Sequence, residues 1–307
     1  MEEKLFSEDF LHQLERLTLA ARKATPGQMQ GERRSPKRGQ SVEFADFRPY
    51  VLGDDIRRID WNAYARLERF FIKLFVEEED LLVHLLLDTS RSMDWGKPNK
   101  LWYSARAAAA IGYVALTGLD RVTVTALGRN NGRSNGNGAP NRYFPPHRGK
   151  RQAMALFTFL QKLEAEPEHK GNSGSGIARK LAAYAAGATH PGPLLLFSDL
   201  MEDGWLDGVR ALASRGFEIS VVHVLAPEEV NPQIDGDFKL VDSEDRQAVE
   251  ITGDYDLLAR YRQGLQDWQA QWNAFCRARG IRYVPLQTTL PFDELLFAWM
   301  RRQGVLR

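Results

Sequence analysis

Carboxylate and hydroxyl side chains follow an apolar stretch of the sequence, and their types favour a divalent metal ion. Residues 81–87 are almost all apolar, and Asp88, Ser90 and Ser92 come after them at alternate positions. A carboxylate beside neutral hydroxyls suits Mg²⁺, which accepts one or two carboxylates and keeps several waters. The same residues also fit a turn before a helix that begins near Asn99, because Asp and Ser often cap helices. The triplet by itself therefore leaves both interpretations open.

Two predicted strands would bring such side chains to one edge of a sheet. The run 81–87 has strand length, and its nearly unbroken apolar character is typical of a strand covered on both faces by helices. A second run of this kind, 194–197, ends in Ser198 and Asp199. Ligands in open α/β sheets bind outside the carboxyl ends of the strands, which is where Asp88 would stand.

Taken with a helix predicted from 175 to 186, these features resemble a von Willebrand factor A domain. The metal-ion-dependent adhesion site of that family joins Asp-x-Ser-x-Ser, a Thr before a helix, and an Asp after a later strand. The resemblance implies Mg²⁺, or Mn²⁺ or Ca²⁺ as a substitute, held by Asp88, Ser90, Ser92, Ser173 and Asp199. Ser173 stands where the family usually has Thr, and it keeps the hydroxyl. Ser175 is the competing assignment, or it is the N-cap of the helix.

The segment from 41 to 79 carries a narrower resemblance. It contains Glu43-Phe44, Arg48, Tyr50, Gly53-Asp54-Asp55, Arg57, Ile59-Asp60-Trp61, Ala65-Arg66 and an acidic cluster, Glu77-Glu78-Glu79. From about Gly39 to Asp199 the chain resembles the family catalogued as domain of unknown function 58. Its members are bacterial and archaeal proteins, commonly encoded beside a MoxR-type AAA+ ATPase. Many carry two membrane helices ahead of the motif, and this sequence resembles the soluble branch.

The order of predicted elements favours an α/β fold. Strands alternate with helices, which predicts a doubly wound, mostly parallel sheet with helices on both faces. Residues 1–79 are expected to form an N-terminal helix, a basic loop and a β-rich extension packed on the main domain. Residues 80–307 would form the von Willebrand A-like domain, with an inserted hairpin near 237–251.

Composition limits the classes of partner. The 307 residues include 41 basic and 40 acidic side chains, a net charge of +1, which gives no reason to expect nucleic acid. The single Cys276 allows no internal disulfide, which favours a cytoplasmic location. The sequence has no run as apolar as a membrane span and no signal peptide at its start, so no membrane insertion is expected.

The functional prediction is a non-enzymatic, metal-dependent protein interaction module. A carboxylate of the partner would complete the metal coordination, and the family resemblance implies a MoxR-type ATPase as that partner, in assembly or activation of a target complex. The alternative is a Mg²⁺-dependent phosphohydrolase of the haloacid dehalogenase type. That chemistry needs a second Asp two residues after its nucleophile, where this chain has Ser90. A serine hydrolase is disfavoured because no nucleophile elbow surrounds the candidate serines.

Overall fold

The computed structural model describes residues 6–17, 43–52, 56, 59–76, 81–128, 142–165, 176–202, 204–232, 236–241, 248–253, 255–302 and 304–306. The chain divides into two compact units. One comprises residues 1–21 and 81–307, and the other comprises residues 22–80, within the described ranges. The predicted N-terminal helix thus lies in the same unit as the main sheet.

The described strands and helices alternate along most of the chain. The strands are β1 Glu43–Pro49, β2 Phe71–Val76, β3 Leu82–Asp88, β4 Arg121–Leu127, β5 Tyr143–Arg148, β6 Pro193–Ser198, β7 Glu218–Leu225, β8 Gly236–Val241, β9 Ala248–Gly253 and β10 Arg282–Gln287. The α-helices are α1 Glu8–Leu14, α2 Trp61–Leu67, α3 Lys100–Thr117, α4 Ala153–Gln161, α5 Ile177–Gly187, α6 Trp205–Ser214, α7 Pro227–Val230, α8 Tyr255–Arg277, α9 Phe292–Glu294 and α10 Met300–Arg302. Of the helices described here, none is both long and apolar enough to cross a lipid bilayer.

A six-stranded sheet forms the centre of the larger unit, with the order β10-β7-β6-β3-β4-β5. Neighbouring strands are parallel except at one edge, where β5 runs antiparallel to β4. Every residue of β3 is buried, as the apolar run predicts. The mixed α/β fold with a mostly parallel sheet is therefore confirmed.

Helices cover both faces of this sheet. Val83, Leu85 and Leu87 belong to one apolar cluster, which includes the alanines of α3. Leu86 belongs to a second cluster, which includes Leu181 of α5 and side chains of α6. Side chains alternate across a strand, so β3 contributes to a core on each face.

Helix α3 lies close to the sheet because its buried face is made of small residues. The side chains from Ala107 to Ala110 are fully buried. Asn99 is the N-cap, and its Oδ1 accepts the backbone N–H of Trp102 at 3.0 Å. This cap fixes the first turn of the helix and so positions Lys100, whose side chain is fully buried.

The smaller unit contains an antiparallel pair, β1 with β2, and helix α2 between them in sequence. Asp60 caps α2, and its Oδ1 accepts the backbone N–H groups of Asn62 at 2.9 Å and Ala63 at 3.2 Å. Helix α2 was not predicted from the sequence. The motif residues Asp54, Asp55, Arg57 and 77–79, and the basic loop 33–38, lie outside the described residues.

Two further strand pairs complete the description. The hairpin predicted between 237 and 251 corresponds to β8 and β9, which pair antiparallel. The sequence did not predict β5, which contains Pro145 and Pro146 and lies at the edge of the sheet. Proline is tolerated at an edge because one side of an edge strand needs no ladder hydrogen bonds.

Candidate metal site at the carboxyl ends of two strands

Strands β3 and β6 end side by side, and their terminal polar side chains are in contact. Leu87 lies opposite Phe197 in the parallel ladder. One residue further along, the Ser198 hydroxyl donates a 2.6 Å hydrogen bond to Asp88 Oδ2. Ser198 Oγ also accepts the backbone N–H of Leu200 at 2.9 Å. The two apolar runs are neighbouring parallel strands, so their carboxyl ends lie side by side at one edge of the sheet.

Asp88 is a buried carboxyl group. Its Oδ1 accepts the backbone N–H of Ser90 at 2.9 Å, and only 3% of the residue is exposed. Burial, and after it the negative charge of Asp199, raise the pKa of Asp88 to about 7, although hydrogen bonds from Ser198 and Ser90 act in the opposite direction. A nearby cation would favour the ionised form of this carboxyl group.

The hydroxyls of Ser90 and Ser92 lie together on the turn after β3. A short 3₁₀ turn, Arg91–Met93, follows Ser90 and brings the two Oγ atoms to 3.0 Å. Both serines are partly exposed, whereas Thr89 between Asp88 and Ser90 is fully buried. The Thr89 hydroxyl accepts a 3.0 Å hydrogen bond from Arg142 Nη1, so it anchors the turn while the serine hydroxyls remain reachable.

Asp199 is also buried, and a lysine holds it. Its Oδ1 accepts the Met201 backbone N–H at 3.3 Å, and its Oδ2 accepts a 2.8 Å hydrogen bond from Lys100 Nζ. The same ammonium donates to Glu229 Oε1 at 2.5 Å. Glu229 Oε2 accepts the backbone N–H of Ala226 at 2.7 Å. The site therefore contains its own internal cation.

Sequence reasoning missed Lys100 and Glu229. One local signal pointed to the lysine, since a cation in the first turn of a helix opposes the helix dipole and needs a compensating partner. Nothing in the sequence identified which carboxylates would supply that compensation.

The predicted ligands are placed as follows. Hydrogen bonds join Asp88, Ser90 and Ser92, and Asp199 is near enough for its charge to raise the pKa of Asp88. Ser173 and Ser175 lie outside the described residues, and the description resumes at Gly176, directly before α5.

The donor set fits a hard, oxygen-seeking cation. No group of three or more His, Cys, Asp or Glu side chains is arranged to hold a metal within the part of the chain that the structure describes. An ion between β3 and β6 would therefore depend on two carboxylates, Asp88 and Asp199, together with the hydroxyls of Ser90 and Ser92. Few carboxylates with neutral oxygens match the preference of Mg²⁺.

The surroundings of the turn are open to solvent. Trp95 is 56% exposed and Met201, two residues after Asp199, is 50% exposed. A cleft of about 600 Å³ begins at Asp94 and Asn99 and continues along α3 past Trp102. A macromolecule can therefore approach this end of the sheet.

Comparison with known proteins gives a family and no activity. A model of the family described as "Protein of unknown function DUF58" matches residues 46–271. Uncharacterized protein Rv1480 of Mycobacterium tuberculosis and uncharacterized protein Mb1516 of Mycobacterium bovis are each 26% identical to this chain over 298 residues. These matches cover 95% of this chain and 90% of each relative.

Two solved structures are similar to this chain at lower sequence identity. The conserved hypothetical protein BatB from Bacteroides thetaiotaomicron is 14% identical, with a TM-score of 0.41 over 73% of this chain and 98% of that one. An aerotolerance-related membrane protein from Bacteroides fragilis is 11% identical, with a TM-score of 0.37 over 72% of this chain and 99% of that one.

Proposed function

Because the chain belongs to the DUF58 family, whose description states no activity, we propose its function from the site itself. The protein is a von Willebrand A-like interaction module that recognises its partner through a divalent metal ion. The observation that carries this proposal is the hydrogen-bonded set at the ends of β3 and β6. There Ser198 links the strand ends through Asp88, and the hydroxyls of Ser90 and Ser92 lie 3.0 Å apart.

In this proposal Asp88, Ser90, Ser92 and Asp199 hold the ion, and Ser173 completes the set. When bound, Mg²⁺ would supply a coordination position that a carboxylate of the partner fills. The protein's own contribution is to hold the two acids in a buried place and the two hydroxyls in a partly exposed one. Mn²⁺ or Ca²⁺ would substitute for Mg²⁺, because both also take oxygen ligands.

A MoxR-type AAA+ ATPase is the proposed partner, in assembly or activation of a target complex. The support is the family resemblance, since members are commonly encoded beside such an ATPase. The exposed side chains of Trp95 and Met201 beside the site give this partner an accessible surface.

A phosphohydrolase is a weaker explanation of the same residues. Asp88 would need a general acid two residues on, and that position is Ser90. A lysine is present, but Lys100 Nζ is bonded to Asp199 and Glu229. We therefore propose a non-enzymatic role.

The test compares wild-type protein with Asp88→Asn, which removes a charge and keeps the volume. We expect the wild-type chain to bind a MoxR-type ATPase in Mg²⁺ and to lose that binding in a chelator, while Asp88→Asn fails to bind in either. Asp207→Asn is the matched control, because Asp207 is an exposed acid on α6 that pairs with Arg210. Binding that persists in the chelator and in Asp88→Asn would refute the metal-dependent mechanism.

Hydrolysis is measured on the same preparations. Release of phosphate from p-nitrophenyl phosphate by wild-type protein, lost in Asp88→Asn without any partner present, would instead favour the phosphohydrolase.

A further inference from the structure

Lys100 is the most deeply buried charge beside the proposed metal site. Its side chain has no exposed surface, and its ammonium lies between two carboxylates, 2.8 Å from Asp199 Oδ2 and 2.5 Å from Glu229 Oε1. Each contact joins it to a different part of the fold, because Asp199 follows β6 and Glu229 lies in α7. Asn99 fixes the helix turn from which Lys100 projects.

We propose that Lys100 is a positioning residue that sets the charge of the metal site, acting through Asp199. The inference rests on the proposed function. The ammonium, which it shares with Glu229, partly compensates the charge of Asp199 from the interior, so an approaching ion meets Asp88 as the carboxylate that Lys100 does not contact. The site of the isolated protein then binds divalent ions more weakly than two free carboxylates would.

The physical basis is the strength of charge interactions away from water. The attraction between two unit charges is several times stronger where the effective dielectric constant is about 20 than in water. Asp199 is only 1% exposed and Lys100 is not exposed. Solvent therefore screens their attraction poorly. It also screens poorly the repulsion between the ammonium and a metal ion near Asp199.

This charge balance makes ion binding and partner binding cooperative. A site in which one of the two carboxylates is partly compensated gains more from a further anionic ligand than a site in which both are free. A partner carboxylate therefore increases the affinity for the ion, and by reciprocity the ion increases the affinity for the partner. Lys100 thus favours occupancy by both together over occupancy by the ion alone.

The decisive variant is Lys100→Met with Glu229→Gln. It removes one positive and one negative charge, so the net charge stays the same while Asp199 loses its counter-ion. We expect the dissociation constant for Mn²⁺, measured by isothermal titration calorimetry, to fall by about tenfold or more relative to wild type. Lys97→Met is the control, because Lys97 is an exposed lysine three residues earlier, and its affinity for Mn²⁺ should match that of wild type.

Glu229→Gln alone tests the same idea in the opposite direction. The ammonium stays while one of its two carboxylates is lost, so the site becomes more positive and Mn²⁺ binding should weaken several-fold. This variant also decides the question if the double variant does not fold, since a Glu229→Gln protein that binds Mn²⁺ as tightly as wild type, or more tightly, overturns the role of Lys100.

Failure of this inference differs from failure of the proposed function. If Asp88→Asn lowers Mn²⁺ affinity while the double variant binds like wild type, only the role of Lys100 is overturned. If Asp88→Asn binds Mn²⁺ as well as wild type, the ion lies elsewhere and the proposed site is overturned. Absence of Mn²⁺ binding in both wild type and the double variant overturns both.

Discussion

Ser198 has no exposed surface and its hydroxyl makes two hydrogen bonds, one to Asp88 and one from the Leu200 N–H. Ser198→Ala removes both and leaves a buried carboxylate oxygen and a buried N–H without these partners. We expect the free energy of unfolding to fall by about 1–3 kcal/mol, measured by urea denaturation. Ser214→Ala is the control, because the Ser214 hydroxyl bonds a helix carbonyl at an exposed position, and the change there should stay below about 0.5 kcal/mol. Equal effects in the two variants would contradict this account.

His84 lies in β3 and acts as a core residue. Its ring nitrogens lie 2.6 Å from the Tyr184 hydroxyl and 3.0 Å from the His190 carbonyl oxygen. Burial lowers the pKa of His84 from 6.5 to about 4, although the bond to His190 favours the charged form. Between these pH values His84 is protonated in the unfolded chain and neutral in the folded chain. The stabilising contribution is therefore complete above pH 6.5 and is lost as pH falls towards 4.

The test replaces His84 with Phe, which keeps an aromatic ring against Phe217. Wild type should lose about 2 kcal/mol more than His84→Phe between about pH 7.5 and about pH 5. Urea denaturation across this range gives the slope, and comparison with wild type cancels the contributions of His223 and Asp88, which titrate in both proteins. A His84→Phe slope equal to that of wild type would contradict the prediction.

Among individual residues, the sequence identified side chains that end an apolar run. It missed side chains whose partners are distant along the chain. Asp88 and Asp199 were predicted because each follows a buried strand. Lys100 was not, because its two carboxylate partners lie 99 and 129 residues away along the chain. No local periodicity encodes such a contact.

Among the elements, the start of β6 depends on a close approach to β3. A Cβ at Gly192 would overlap the Leu82 carbonyl oxygen and lie 3.3 Å from the carbonyl carbon. Gly192→Ala should therefore push the two strands apart and lower the free energy of unfolding by about 1–3 kcal/mol. Thermal and urea denaturation measure the loss.

Gly187, at the end of α5, is the matched control for this substitution. A Cβ there meets no atom within 4 Å, so Gly187→Ala should leave stability unchanged or raise it by up to about 1 kcal/mol. A Gly192→Ala protein as stable as Gly187→Ala would show that β6 begins with more space beside β3 than the structure gives it.

The elements that sequence predicted best are those with one dominant signal. Strands β3 and β6 are long apolar runs, and α3 is a long alanine-rich helix. Helix α2 was missed because its seven residues include no buried side chain, so no apolar stripe marks it. Strand β5 was missed because its two prolines indicate a loop, and only its position at the sheet edge makes them tolerable.

For the whole molecule, the alternation of strands and helices was enough to predict the fold class. Parallel neighbouring strands need a crossover connection, which is usually a helix. Each such helix must bury one face on the sheet. The identity of a partner does not follow from this alternation. A net charge of +1 and a balanced composition give no reason to expect nucleic acid, and they do not specify any partner.

The proposed metal site also predicts a property of the entire chain. An ion that binds the folded protein and not the unfolded one stabilises the fold by mass action, by about 2.7 kcal/mol when its concentration is a hundred times its dissociation constant. Asp88 ends β3 and Asp199 follows β6, and these two strands lie at the centre of the six-stranded sheet. An ion held there would bridge strands that separate only when the larger unit unfolds. Mg²⁺ should raise the melting temperature of wild type in proportion to the logarithm of its concentration, and should leave that of Asp88→Asn unchanged. Equal shifts in both proteins, measured at constant ionic strength, would indicate a general salt effect and contradict binding at this site.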